Sequence, residues 1–394
     1  MAGGERPRAD VRSGLLTWAE IDLDAISDNV RAFRRHVGRA VELIAVVKAN
    51  AYGHGAVPVA RAALEAGATR LAVHRAPEGV ELRQAGIQAP ILVMGYTPPG
   101  GAEMVARWRL APSVITLEFA RELSTQAAAS GVQVPVHVKV DTGMSRYGLM
   151  PGEVVDFLRA LRGLPHLFLE GIFTHFATAD WADLTHVRGQ LALFEAVLAE
   201  ARAAGIQAPL VHAANSAAAM ALPEARFDAV RPGVALYGLE PSGEWPPVFE
   251  LHPALTLKSR VSRVRELPAG SGVSYGRTFI TRRPTLAALV PVGYGDGYHR
   301  LLSNRASVLI GGRRAPILGR ICMDQFVADV SGIPDVRQDD EVVLIGRQGA
   351  EQVRAEELAK LAETINYEVT TSLLPRVTRL YLRGGKIVPE AGAA

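Results

Sequence analysis

Lys48 stands directly after five apolar residues in LIAVVKANAYGHG. An ammonium at the end of such a run is partly desolvated, which lowers its pKa from about 10.4 toward that of a usable amine. A lysine that merely snorkels out of a strand end is the competing reading. Tyr52, His54 and Gly55 follow in a turn leading into a helix, where backbone N–H groups can face an anion. Two later segments share this character. In HAANSAA, Asn215 and Ser216 open a helix with a hydroxyl and N–H groups; in RPGVALYG, Gly233 and Val234 start another. GYGDGY at 293–298 looks like a dinucleotide loop, but it has neither the GxGxxG spacing nor a following βαβ unit.

The elements that must position these groups read as two domains. Apolar runs recur at 43–47, 71–73, 91–94, 110–115, 136–140, 168–173, 210–212 and 227–230. Between most of them lie helical periods, as at 56–66, 117–129, 154–161 and 184–203. Continuously apolar strands each followed by a helix indicate parallel strands buried on both faces, and eight units predict a (β/α)8 barrel. Before them, 15–24 alternates like a strand, and Asp24 can cap a helix with Ile26, Val30, Phe33 and Val37 on one face. Beyond the connector PSGEWPP the texture becomes alternating and β-branched, at 255–264, 286–292, 307–310 and 341–345, with a helix near 355–361 and a last strand near 377–382. The expected division is a flexible arm over 1–13, a barrel over 14–240 and a mostly β domain over 241–394.

Barrel active sites lie at the C-terminal ends of the strands, often with a phosphate held between the loops after strands seven and eight. Here those loops are HAANSAA and VRPGVALYG, so two helix starts converge on one anion. A capping serine and a turn glycine would explain either motif alone. Their joint position, with a lysine at another strand end, suggests pyridoxal 5′-phosphate (PLP) bound covalently to Lys48.

Composition narrows the class. The chain has 394 residues, 48% hydrophobic and 21% charged, as expected of a folded protein with a sizeable core. The 43 basic and 40 acidic residues leave a formal +3, too little to imply nucleic acid. No apolar run approaches the roughly 18 residues of a membrane span, and no signal peptide is evident. The one cysteine, Cys322, forms no intrachain disulfide, and no CxxC or HExxH spacing suggests a metal site, which fits a reducing cytoplasm.

From about Leu15 to Leu382 the chain resembles the alanine racemases of the PLP-dependent barrel type. The resemblance is carried by VVKANAYGHG, KVDTGMSRYG, THFATAD, HAANS, RPGVALYG, VSYGRTF, VGYGDGYHR, GRICMDQF and INYEV, in that order. It implies that Lys48 carries the cofactor and is the acid/base on the D side, while Tyr275 works the L face and comes from the neighbouring subunit of a homodimer. One base returns a proton only to the face it took it from, so racemization needs two. Arg231 would hydrogen-bond the pyridine nitrogen, oriented by His175, and Arg146 would reach the cofactor's phenolic oxygen and the substrate carboxylate. Lys139 matches a lysine often carboxylated by carbon dioxide.

Tyr52, Ser216, Gly233, Val234 and Tyr367 would hold the phosphate, with Asn215 beside them, and Met323 would offer a backbone N–H to the substrate carboxylate. Asp324 and Cys322 would support these residues, and Asp180, Tyr294 and Arg300 would line an access passage. The segment LAVHRAPEG departs from the family's more acidic wording at His74 and Arg75. The implied activity interconverts L- and D-alanine, the latter for peptidoglycan. A serine or broad-specificity racemase is the alternative. A non-catalytic PLP-binding barrel would lack Tyr275 and the β domain, and a decarboxylase would carry an acidic residue in place of Arg231.

Overall fold

The computed structural model describes residues 11–389; positions 1–10, most of the expected arm, lie outside the described residues. The rest of that arm is held in place. Residues Val11–Gly14 form a 310 turn, and Arg12 Nε donates to Glu20 Oε1 at 2.8 Å. The first strand, β1 (Thr17–Asp22), forms where alternation predicts it, but it does not join the barrel. It pairs antiparallel with Leu255–Arg260, Trp18 opposite Lys258, and parallel with Thr378–Arg383, Trp18 opposite Thr378. The expected start of the barrel at 14 is therefore corrected to 23. Glu20 explains the preference: it binds Lys258 Nζ at 3.2 Å as well as Arg12, so its partners lie in the β unit.

Residues 23–254 form the barrel unit. Its eight parallel strands close in chain order: β2 (Glu42–Val46), β3 (Arg70–Val73), β4 (Ile91–Val93), β5 (Ala111–Val114), β6 (Val134–Lys139), β7 (Leu167–Phe173), β8 (Leu210–His212) and β9 (Ala229–Val230). Each coincides with a predicted apolar run. Helices Leu117–Ala129, Val154–Arg162 and Thr185–Ala203 follow β5, β6 and β7. The helix Leu23–Val37 already contains Asp24 in its first turn, so Asp24 complements the dipole there and is not the residue preceding the helix. Ile26, Val30, Phe33 and Val37 on its inner face are buried, each worth about 1.5–3 kcal/mol of transfer from water.

The connector PSGEWPP stays with the barrel unit, which runs to Ala254, so the expected boundary at 240 moves to 254. Residues 11–22 and 255–388 form the second unit, built on an eleven-stranded, largely antiparallel sheet among the described residues. The single predicted strand at 255–264 is two, Leu255–Arg260 and Arg263–Leu267, which pair with different neighbours. A further short strand, Lys386–Val388, turns back on Thr378–Arg383, so the latter is not the last.

Candidate active site

Lys48 leaves the C-terminal end of β2 and enters a backbone turn of unusual hand. Ala49, Asn50, Ala51 and Tyr52 all have φ between 51° and 53°, the left-handed region that costs side-chain-bearing residues about 1–2 kcal/mol each. Neighbouring groups hold it. Ala49 N donates to Glu78 Oε1 at 2.6 Å, Ala56 N to Asn50 Oδ1 at 2.8 Å, and the Tyr52 ring packs 4.8 Å from that of Tyr237. Tyr237 is itself tied by its hydroxyl to Val46 O at 2.7 Å. The half-buried Lys48 Nζ stands 5.9 Å from the Tyr52 ring centre. Burial, then the charge of Arg146, lowers the Lys48 pKa, with Glu78 opposing. The direction favours a neutral amine, as the sequence suggests.

The anion cradle assembles within the same unit. Ser216 Oγ accepts from Gly233 N at 2.9 Å and Ala235 N at 3.4 Å, which joins the start of helix Ser216–Ala221 to that of the 310 turn Val234–Tyr237. Tyr52 reaches the same point: a Cβ on Gly233 would stand 2.6 Å from Tyr52 Oη, so only glycine lets this hydroxyl meet the backbone. Two hydroxyls and converging N–H groups form a donor set that suits a phosphate. Asn215 opens the helix as the sequence suggests, its side chain capping it by accepting from Ala218 N at 3.0 Å. Tyr367 lies in Asn366–Thr371 of the β unit.

Arg231, just past β9, is buried, and both of its terminal nitrogens are hydrogen-bonded. Its Nη2 donates to Thr174 O at 2.7 Å, Ala213 O at 3.0 Å and His175 Nδ1 at 3.3 Å, while Nη1 donates to His212 Nδ1 at 2.6 Å. Burial pulls its pKa down to about 9, which leaves the guanidinium charged at neutral pH. Burial and that charge push His175 and His212 well below the usual imidazole range, so both are neutral bases. The hydrogen bonds continue past His212: its Nε2 lies 3.0 Å from His137 Nδ1, His137 Nε2 lies 2.9 Å from Glu170 Oε2, and Arg70 Nη1 donates to Glu170 Oε1 at 2.9 Å. Sequence reasoning missed His137, His212 and Glu170; the available signal was polar His137 and Glu170 inside the otherwise apolar strands VPVHVK and LFLEGIF, and His212 ending LVH.

Arg146 and Lys139 sit at the end of β6. Asp141 accepts from the N–H groups of Gly143 and Ser145 at 2.9 Å and of Arg146 at 3.1 Å, and so shapes the loop that carries Arg146, whose side chain is exposed. Lys139 is buried, its Nζ 5.2 Å from the Tyr147 ring and 5.6 Å from Phe173. Burial, then Arg146 and Arg231, bring its pKa down to about 8. Burial, then the charge of Lys48, lowers the pKa of His74, where the sequence departs from the family. Asp180 is exposed and offers its carbonyl to Ser242 Oγ at 2.5 Å.

The β unit gathers a second group. Tyr275, 71% exposed, lines a cleft of about 680 Å³ with Ser274, Tyr294, Cys322, Met323, Asp324 and Gln325. Ser274 Oγ donates to Arg320 O at 2.5 Å and meets Cys322 Sγ at 3.3 Å, which anchors the turn that presents Tyr275. GYGDG docks on the same wall: Tyr294 N donates to Cys322 O at 3.2 Å and Gly295 N to Met323 O at 2.8 Å. Arg376, which sequence reasoning overlooked, clamps Asp296 at 2.6 Å and Asp324 at 2.8 Å. Arg300 is exposed and begins the short turn Arg300–Leu302. Among the described residues, no three His, Cys, Asp or Glu side chains stand together as a metal site, and no helix is long and apolar enough to cross a membrane.

Comparison with known proteins identifies the family. The family model "Alanine racemase, N-terminal domain" matches residues 21–241, and "Alanine racemase, C-terminal domain" matches 254–381. The chain is 51% identical to the alanine racemase of Symbiobacterium thermophilum over 367 residues, covering 93% of this chain and 97% of that protein. The alanine racemase of Halothermothrix orenii is 46% identical over 365 residues, covering 93% and 96%. The crystal structure of alanine racemase from Bacillus anthracis with bound L-Ala-P superposes with a TM-score of 0.90 at 42% identity, over 95% of this chain and 97% of that one. A histidine racemase from Leuconostoc mesenteroides superposes with a TM-score of 0.87 at 28% identity, over 94% and 99%.

Proposed function

The chain belongs to the alanine racemase family, an amino-acid racemase, and from that membership we propose that it interconverts L- and D-alanine by a PLP-dependent, two-base mechanism in a homodimer. The observation that carries this reading is the barrel cradle, where Tyr52, Ser216 and Gly233 meet in one unit with Lys48 and Arg231. When bound, PLP supplies an electron-withdrawing ring that makes the α-hydrogen of an attached amino acid acidic. Lys48 would hold the cofactor, and its Nζ would remove or return the α-proton on the D side. Its lowered pKa suits that task, because only the neutral amine accepts a proton.

Tyr275 of the partner subunit would exchange the proton on the L side through its hydroxyl. Arg231 would face the pyridine nitrogen as a donor that has no lone pair to offer and no proton to give up, so that nitrogen stays unprotonated and side reactions are restrained. His175 supports this placement through its contact with Arg231 Nη2. Arg146 and the Met323 N–H would take the substrate carboxylate, Tyr367 and Val234 would complete the phosphate site, and a carbamate on Lys139 would pair with Arg146. Tyr294, Asp180 and Arg300 would line the access passage. The product D-alanine would serve peptidoglycan, with the enzyme in the cytoplasm.

A broader or serine-directed racemase is the second reading, and the similarity to a histidine racemase favours keeping it. A chiral assay of the purified protein, with and without added PLP, on L-alanine, L-serine and L-histidine tests both. PLP-dependent turnover that favours alanine supports the first reading, and equal rates on all three would replace it with the second.

A further inference from the structure

Arg231 is joined to a carboxylate on β7, two strands from β9 in the barrel, by an unbroken line of hydrogen bonds. The line runs from Arg231 Nη1 to His212, then His137, then Glu170, which Arg70 also holds. Its members come from five places in the barrel unit: the end of β9, β8, β6, β7 and β3. Both imidazoles are buried, so each ring nitrogen must find its partner within this line.

The donors and acceptors permit one order of protons. Arg231 has only N–H groups to offer, so His212 Nδ1 must be bare. His212 then carries its proton on Nε2 and donates it to His137, whose Nδ1 is therefore bare. His137 carries its proton on Nε2 and donates it to Glu170. The carboxylate suits that end, because it can only accept, and Arg70 occupies its other oxygen. Charge agrees with this order. Burial favours neutral His137, while hydrogen bonds from His137 and Arg70 outweigh the burial of Glu170 and keep it ionised.

We propose that Glu170 is a positioning residue: its carboxylate fixes the proton order of His137 and His212 and thereby locks Arg231 in the orientation it needs at the cofactor. The proton order stands on the barrel geometry alone; its consequence for catalysis rests on Arg231 being the partner of the pyridine nitrogen.

Glu170→Gln separates this role from packing. Arg70 claims the amide oxygen, so the amide NH2 must face His137. Both histidines then have to move their protons to Nδ1, and His212 Nδ1–H collides with the Arg231 donor. In protein labelled with 15N-histidine, with resonances assigned by substitution of each histidine, the parent at neutral pH should show Nε2–H tautomers at His137 and His212. Glu170→Gln should shift both to Nδ1–H, and Glu170→Asp should retain Nε2–H. With PLP added, Glu170→Gln should shift the absorbance of the bound cofactor and lower kcat roughly ten- to a hundredfold, with KM for alanine within about twofold. A folded Glu170→Gln protein that keeps the parent tautomers overturns the proposal. So does a parent protein with Nδ1–H or doubly protonated His212, which decides the matter even if the variant fails to fold. Failure to bind PLP would instead remove the functional reading and leave the tautomer result standing.

Discussion

Gly171 on β7 lies opposite His137 on β6, where the register between the strands shifts by a residue, and a Cβ on Gly171 would come within 2.3 Å of His137 Nδ1. The missing side chain therefore makes room for the ring that links Glu170 to His212. Gly171→Ala should destabilise the barrel by about 1–3 kcal/mol, since the added methyl also meets Leu210 O at 2.9 Å and cannot move away from both. Urea denaturation of the cofactor-free protein measures this, and an unchanged midpoint would show that the ring has space to retreat.

Gly233 and Tyr52 make the same argument for the cradle. In Gly233→Ala the new methyl displaces the Tyr52 hydroxyl, so affinity for PLP should fall at least roughly tenfold, equal to about 1.4 kcal/mol, while the fold is retained. Equilibrium dialysis of cofactor-free protein against PLP reads the change. Unaltered affinity would place the phosphate elsewhere.

Lys139 should give stability a distinctive pH dependence. Its pKa is about 8 in the folded chain and near 10.4 when unfolded, so between these values the unfolded chain binds more protons and stability rises with pH. Below pH 8 the folded state carries the full cost of the buried ammonium. Urea titrations in carbon dioxide-free buffer at pH 7.5 and 10 should show a gain on the order of 1–3 kcal/mol that is missing in Lys139→Met. Near pH 8 a substantial fraction is neutral amine, the form that attacks carbon dioxide. Bicarbonate should then stabilise the parent and leave Lys139→Met unaffected, and 13C-labelled bicarbonate should give a carbamate resonance in the parent alone. Equal pH slopes in the two proteins would contradict the assignment.

Legibility in the sequence followed the range of the interactions. The barrel strands were readable because strands buried on both faces are continuously apolar, as in β2 and β4. β1 was readable as a strand but not as a member of the second sheet, because its partners at 255–260 and 378–383 are distant in sequence. Lys48 and Ser216 announce themselves by local context. The left-handed turn after Lys48 does not, since Ala49, Asn50 and Ala51 include no glycine to signal it. Glu170 and Arg376 gain their meaning only from partners 33 and 80 residues away, His137 and Asp296.

The central claim is that two bases serve opposite faces, Lys48 the D side and Tyr275 the L side. The measurement that tests it most directly is α-hydrogen exchange by Tyr275→Phe in deuterium oxide, with PLP bound. Lys48 alone should exchange the α-hydrogen of D-alanine without inverting it, and L-alanine should keep its hydrogen. Racemization at the parent rate, or exchange into L-alanine while D-alanine stays untouched, would contradict the account.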